Sequence, residues 1–255
     1  MTDLDLTFNT PNGFLTTTFN TPPVEPLPQD IGVAVVIRSD NRIVMGGYSQ
    51  YTIGSYITLS CYNTDGSLYT TFGVGGKVLE SYPNCTVNDV ILQPNDYIIV
   101  TGNVSSIQPS MFVARFNSSG LLDTSFGTSG YVIIPPSAFD SGGNVFDQCY
   151  SNSVILQPNN FTVLGGYVRR TGPNKNFIAL VRLDTTGTFD ISFGTNGTVY
   201  AAFNLLNNNE DICNCLSIQT NGKIVSGGVN SLLPATSQNL SVVRFTTGGI
   251  LVNYF

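Results

Sequence analysis

The chain has no tryptophan and no histidine, and only 10% of its 255 residues are charged. Without histidine there is no Ser-His-Asp or Cys-His arrangement and no histidine metal site. No glycine-rich loop leads into a helix, so the phosphate-cradling motifs are missing and no cofactor is expected. Ten Lys and Arg stand against sixteen Asp and Glu, a net charge of −6 and a pI near 4.4. No basic stripe is available to neutralise phosphates, which excludes a general nucleic-acid partner. No apolar run reaches the roughly 18 residues of a membrane helix. The start, MTDLDLTFNT, has neither a basic region nor an apolar core, so no signal peptide is expected and the chain reads as intracellular or virion-associated. Low charge combined with 42% hydrophobic residues argues against disorder. The cysteines Cys61, Cys85, Cys149, Cys213 and Cys215 are odd in number and sit in apolar surroundings, and they read as reduced, buried thiols.

What the chain does have is internal repetition. Four segments share an apolar run, a polar turn, a second apolar run and a glycine: VAVVIRSDNRIVMGG, NDVILQPNDYIIVTG, NSVILQPNNFTVLGG and CLSIQTNGKIVSGG. From the residue opening the turn (Arg38, Gln93, Gln157, Gln219) to the closing glycine (Gly47, Gly102, Gly166, Gly228) the spacing is always nine. A second piece follows each: LSCYNTDGSLYTTFG, VARFNSSGLLDTSFG, LVRLDTTGTFDISFG and VVRFTTGGILVNYF. In it Cys61, Arg115, Arg182 and Arg244 share a position, with Gly66, Gly120, Gly187 and Gly249 five residues later and Phe72, Phe126, Phe193 and Phe255 eleven later. A third piece, a glycine and a short strand, appears as GGKVLESY, SGYVIIP and NGTVYAAF.

Each copy therefore offers four short strands rich in Val, Ile, Phe and Tyr, separated by turn residues, and no segment shows a sustained helical period. The expected fold is all-β: a β-propeller of four four-stranded blades forming one domain over residues 1–255. The repeats lie at roughly 23–79, 80–133, 134–200, and 201–255 plus 4–22. The N-terminal strand near residues 14–19 is expected to complete the last blade, which stops at Phe255, and so to close the ring. Phe8 and Phe255 then compete for one slot.

The phrases LDTSFGTSGYV, VILQPNN with VLGG, and ARFNSSG resemble the delta-60 repeat, a propeller-forming family, over nearly the whole chain and most closely in the second and third copies. The last copy departs from it with VNYF, and Lys223 alone keeps the turn lysine. The resemblance implies a propeller and no established chemistry.

Two connections per blade are invariant in length and two vary. From the repeated Phe to the next turn residue (Phe8 to Arg38, Phe72 to Gln93, Phe126 to Gln157, Phe193 to Gln219) the spacings are 30, 21, 31 and 26. In an up-and-down blade both variable connections emerge at one end, and variable loops are where specificity resides. Asp30, Cys85, Cys149 and Asp211 lie eight residues before their turns and would form a ring at that end; they are candidate ligands for a polar group, against a plain solvated channel mouth. Arg169, Arg170 and Lys175 cluster in one long loop there and could meet an anionic partner, against ordinary solvated charge. The proline-rich stretch 21–28 is a stiff connection of the same class. Arg115 with Asp123 and Arg182 with Asp190 read as ties from strand to turn, and Phe72, Phe126 and Phe193 as plugs between blades. Cys213 and Cys215, two apart, would point the same way from a strand.

The leading expectation is a non-catalytic structural or interaction propeller, not an enzyme, presenting its variable loops to a protein partner and suited to a larger assembly such as a virion. The alternative is a carbohydrate-binding or carbohydrate-cleaving propeller using acidic and aromatic residues such as Asp30, Tyr48, Tyr51 and Tyr82.

Overall fold

The computed structural model describes residues 4–19, 29–52, 54–82, 84–172, 175–202, 210–231 and 238–252. It is all-β and propeller-like. Fifteen strands are described, and the helical element among the described residues is a single 3-10 turn at Pro136–Phe139. A first sheet runs in the order β1 (Gln29–Ile37), β2 (Ile43–Tyr51), β3 (Gly54–Tyr62), β4 (Lys77–Glu80), and a second in the order β5 (Cys85–Leu92), β6 (Ile98–Val104), β7 (Ser110–Phe116), β8 (Tyr131–Ile134). The third set is β9 (Phe146–Leu156), β10 (Thr162–Arg170), β11 (Lys175–Leu183) and β12 (Thr198–Ala201); the fourth is β13 (Glu210–Ile218), β14 (Ile224–Ser231) and β15 (Gln238–Phe245). A parallel bridge between Asn176 and Glu210 joins the third and fourth sets into one seven-stranded sheet. By compactness the chain divides into Met1–Val100 with Arg115–Asp123, and Thr101–Ala114 with Thr124–Phe255. No described helix is long and apolar enough to cross a membrane.

Backbone geometry explains the two fixed spacings. In the first turn of each copy, the amide of the opening residue bonds the carbonyl four residues on: Arg38 to Arg42, Gln93 to Tyr97, Gln157 to Phe161 and Gln219 to Lys223, all at 2.8–2.9 Å. The fourth residue of each turn (Asn41, Asp96, Asn160, Gly222) has a positive φ, a conformation these residue types tolerate best. The closing glycine serves a bulge on the facing strand. At Gly47, Gly166 and Gly228 an added Cβ would stand 1.8–1.9 Å from the carbonyl oxygen of Ile31, Tyr150 or Ile212. One extra residue is inserted opposite the glycine pair in each case, which shifts the register.

That bulge corrects one expectation. Cys213 pairs with Gly228 and Cys215 with its neighbour Gly227, so the two thiols project from opposite faces. Cys213 is buried and Cys215 exposed, not one more buried thiol.

The second repeated glycine makes the junctions between successive copies. The ring of Phe72 lies against Gly120, Phe126 against Gly187, and Phe193 against Gly249, each within about 3 Å of where a Cβ would stand. The residue after each Phe donates its amide to the neighbouring turn: Gly73 to Ser119, Gly127 to Thr186 and Gly194 to Gly248, at 2.8–2.9 Å. Phe8 packs the same way against Gly66, with Asn9 donating to Asp65 at 2.7 Å. Of the two competitors for that slot, Phe8 is the one seen in it; Phe255 lies outside the described residues, as do residues 21–28.

Charged ties reinforce the junctions. Arg182 bonds Asp190 within its copy at 2.7 Å and the carbonyl of Thr247 in the next at 2.5 Å. Arg115 bonds Asp123 at 2.7 Å, as expected. The first copy has Cys61 at this position. There Arg38, standing where other copies have Gln, reaches the equivalent carbonyl, Ser118, at 2.5 Å. One guanidinium is thus supplied from the turn that follows β1.

No sheet among the described residues closes on itself, and residues 14–19 form no strand. They are held on the first sheet by polar contacts: Tyr62 to Thr17 (2.8 Å), Lys77 to the Thr18 carbonyl (2.8 Å) and the Phe19 amide to Asp30 (3.0 Å). β15 is an edge strand, with Leu240 95% and Val242 59% exposed. Their counterparts Ile57, Met111 and Ile178, and Leu59, Val113 and Leu180, are at most 1% exposed.

Candidate functional site at the variable end of the third and fourth sheets

The strand starts and hairpin ends predicted to vary converge where β9, β10, β11, β13 and β14 terminate. Register sets the arrangement. Tyr150 on β9 pairs with Tyr167 on β10, and Gln148 with Arg169. The tyrosine rings stack with centroids 4.8 Å apart and planes 21° off parallel. Both are half-buried. Beside them Arg169 forms an ion pair with Asp147 at 3.2 Å. The Gln148 amide, oriented so that its oxygen accepts from Arg169 Nη2 at 2.5 Å, donates to Tyr150 Oη at 3.2 Å. Burial, with smaller contributions from Tyr150 and Glu210, pushes the Tyr167 hydroxyl up to about 12, so it remains a neutral hydrogen-bond donor at physiological pH.

At the same strand ends, on the face of the sheet opposite the tyrosine rings, lies a buried polar group, since Lys175 pairs with Arg170, three residues from Tyr167 on an unshifted ladder. The Asn176–Glu210 bridge brings the start of β11 beside the start of β13, so that Lys175 and Asp211 interact electrostatically. Lys175 is 4% and Asp211 0% exposed, and Asn230 Nδ2 donates to Asp211 Oδ1. Burial pulls the Lys175 ammonium below its ordinary range and Asp211 partly offsets this. The oxygen of Asn176, buried nearby in sequence, has no hydrogen-bond partner among the described residues. Buried ionisable groups of this kind are enriched at functional sites.

The sequence-predicted residues fall as follows. Lys175 and Asp211, assigned to separate groups by spacing, are brought together. Arg169 and Arg170 lie on β10 and Lys175 opens β11, with Arg170 and Lys175 paired across a connection at 171–174, so the trio flanks a hairpin end and does not occupy a long loop. Asp30 accepts from Ser49 Oγ at 2.5 Å and from the Phe19 amide. Cys85 and Cys149 are fully buried, their thiols directed at the carbonyls of Ser55 (3.8 Å) and Ile134 (3.1 Å). Burial pushes both thiols up to about 12, which keeps them protonated and unreactive. Among the described residues no three His, Cys, Asp or Glu side chains gather as metal ligands. Tyr51 hydrogen-bonds the Phe19 carbonyl and packs edge-on to Tyr56. Tyr150 and Tyr167 were not singled out from the sequence, although the repeat frame places them one residue beyond Cys149 and Gly166 respectively and hence opposite one another.

Two segments, residues 38–72 and 93–126, match a family described as a "Domain of unknown function (DUF5122) beta-propeller". No curated protein matches the sequence. Among solved structures the chain is similar to an endo-arabinase from Bacteroides thetaiotaomicron, with 10% identity and a TM-score of 0.45 over 82% of this chain and 72% of that one. The chain is similar to β-propellers in these segments, and its sheets are propeller-like. The expectation that it is not an enzyme is corrected by this match, because a protein of similar fold is an enzyme. Missing histidine and missing nucleophile motifs do not exclude catalysis. At that identity the likeness assigns this chain no activity of its own.

Proposed function

We propose that the chain binds carbohydrate at the variable end of its third and fourth sheets. The stacked Tyr150–Tyr167 pair beside the Asp147–Arg169–Gln148 group supports this reading most directly. An aromatic surface takes the apolar C–H face of a sugar ring, while amide, guanidinium and carboxylate groups meet its hydroxyls. The protein-partner reading rests on no comparable constellation. Affinity electrophoresis through gels containing soluble glucan, xylan, galactan or pectin checks the proposal. The wild type should be retarded by at least one of them, and Tyr150→Ala or Tyr167→Ala should weaken binding about ten-fold, equivalent to ~1.4 kcal/mol. Wild-type mobility unchanged in every gel would refute it.

We also propose that the sheets are four blades of one delta-60-type propeller, closed when the N-terminal strand pairs with β15. The bare Leu240 and Val242, at positions buried in every other copy, support closure. Amide exchange at residues 240–243 tests it. Protection comparable to residues 57–60 is expected, whereas exchange within seconds would leave β15 as a free edge.

A further inference from the structure

The tyrosine face of the third sheet carries more than its aromatic pair. The β10–β11 ladder runs without a register shift from Thr162 opposite Leu183 to Arg170 opposite Lys175. Paired residues share a face and alternate residues do too, so Tyr167, Arg169, Ile178 and Asn176 project together. Tyr150 and Gln148 join them from β9, opposite Tyr167 and Arg169. Arg170 and Lys175 leave by the other face. The parallel bridge from Asn176 brings Glu210 to the same corner, and the Glu210 charge acts on the Tyr167 hydroxyl.

The charges on this face do not balance. Arg169 is matched by Asp147 at 3.2 Å. Glu210 is exposed and, among the described residues, has no Lys or Arg nitrogen within 4.0 Å; the β13 carboxylate that acts on Lys175 is Asp211. A negative charge is left over. Beside it, Asn176 is 9% exposed, and its side-chain oxygen has no hydrogen-bond partner among the described residues. A buried acceptor without a donor is costly, so a ligand that donates there is favoured. A sugar hydroxyl would serve the amide oxygen and leave the carboxylate unmatched. An ammonium group serves both, because it has several N–H donors and a positive charge. Tyrosine rings attract a cation as well, and the chain's net charge of −6 draws one in.

We infer that this site selects saccharides bearing a free amino group, with the sugar ring on the Tyr150–Tyr167 platform and its ammonium between the Glu210 carboxylate and the Asn176 oxygen. The inference rests on the carbohydrate reading above and narrows its ligand class.

Calorimetric titration of the full chain with chitosan, chitin and cellulose oligomers of equal length tests it. These share a backbone and differ in one substituent: a free amine, an N-acetyl group or a hydroxyl. The wild type should bind the chitosan oligomer about ten-fold more tightly than the other two, as a charge-assisted contact implies. Glu210→Gln should erase that preference, and Glu210→Asp should keep part of it. Asp65→Asn removes the same charge from an exposed turn of the first sheet and should leave the preference intact. Raising the salt should shrink the preference. Equal binding of the three oligomers, or a preference that survives Glu210→Gln, overturns the selectivity and leaves carbohydrate binding standing. Spermidine binding as tightly as the chitosan oligomer, with no retardation in any polysaccharide gel, overturns both, because charge alone is then recognised. Binding of no oligomer, with every gel silent, also overturns both.

Discussion

Replacing Gly166 with alanine is expected to destabilise the protein by about 3 kcal/mol, among the larger single-residue effects a fold of this kind shows. Added at this position, a Cβ would stand 1.8 Å from the Tyr150 carbonyl oxygen. That oxygen is backbone within a bulged strand pair and cannot step aside like a side-chain tip. The clash must either break the bulge or push β9 off β10, and both moves disturb the Tyr150–Tyr167 register. Chemical denaturation should show the midpoint falling sharply. Gly248→Ala is the control, because its nearest neighbour to a new Cβ, the Thr246 hydroxyl, is 4.0 Å away. A Gly166→Ala midpoint within about 0.5 kcal/mol of wild type would mean that the bulge is not rigid.

Removing the Arg182 guanidinium should cost about 3–5 kcal/mol, the usual penalty for stripping one partner from a buried charged group. Arg182 is 7% exposed and bonds Asp190, Ser192, Gln157 and the Thr247 carbonyl, so Arg182→Met leaves several oxygens short of a donor at once. The effect should also depend on pH. Burial pushes the Asp190 carboxyl up, but its bonds from Ser192 and the charge of Arg182 outweigh this and hold it below the ordinary value of 3.8. A carboxyl with a depressed folded-state pKa contributes stability that is complete above the unfolded value and is lost as pH falls through the folded one. Thermal midpoints of the wild type should therefore drop below about pH 4. Arg182→Met should start lower and fall less steeply over the same range. Parallel acid curves for the two proteins would show that Arg182 does not set the Asp190 carboxyl.

Much of this fold could be read from spacing. The nine-residue interval to Gly47, Gly166 and Gly228 reports a bulge that only glycine can face, and the interval from Gly120 to Phe126 reports a plug against the neighbouring copy. Both are local backbone requirements that recur from copy to copy at a fixed interval, the bulge at Gly47, Gly166 and Gly228, so they leave an arithmetic trace. The exchange of Arg38 for the arginine missing at Cys61 left a trace too, since both positions break the repeat at once. The two-residue rule failed at Cys213 and Cys215, because an inserted residue reverses the facing of everything beyond it. At the candidate site, the Lys175–Asp211 neighbourhood depends on one parallel bridge between two copies, a non-local contact invisible to spacing within either. The tyrosine pair was within reach of the repeat frame but appears in one copy only. A search built on what recurs passes over it.

Carbohydrate recognition at the variable end is tested most directly by amide hydrogen exchange of the full chain with and without a saturating oligosaccharide of the polysaccharide that retards it most. The account predicts added protection in residues 146–150, 167–170 and 210–211, and none in the fixed turns at 38–42, 93–97 and 157–161. Protection confined to those fixed turns, or no change anywhere at saturating ligand, would contradict it.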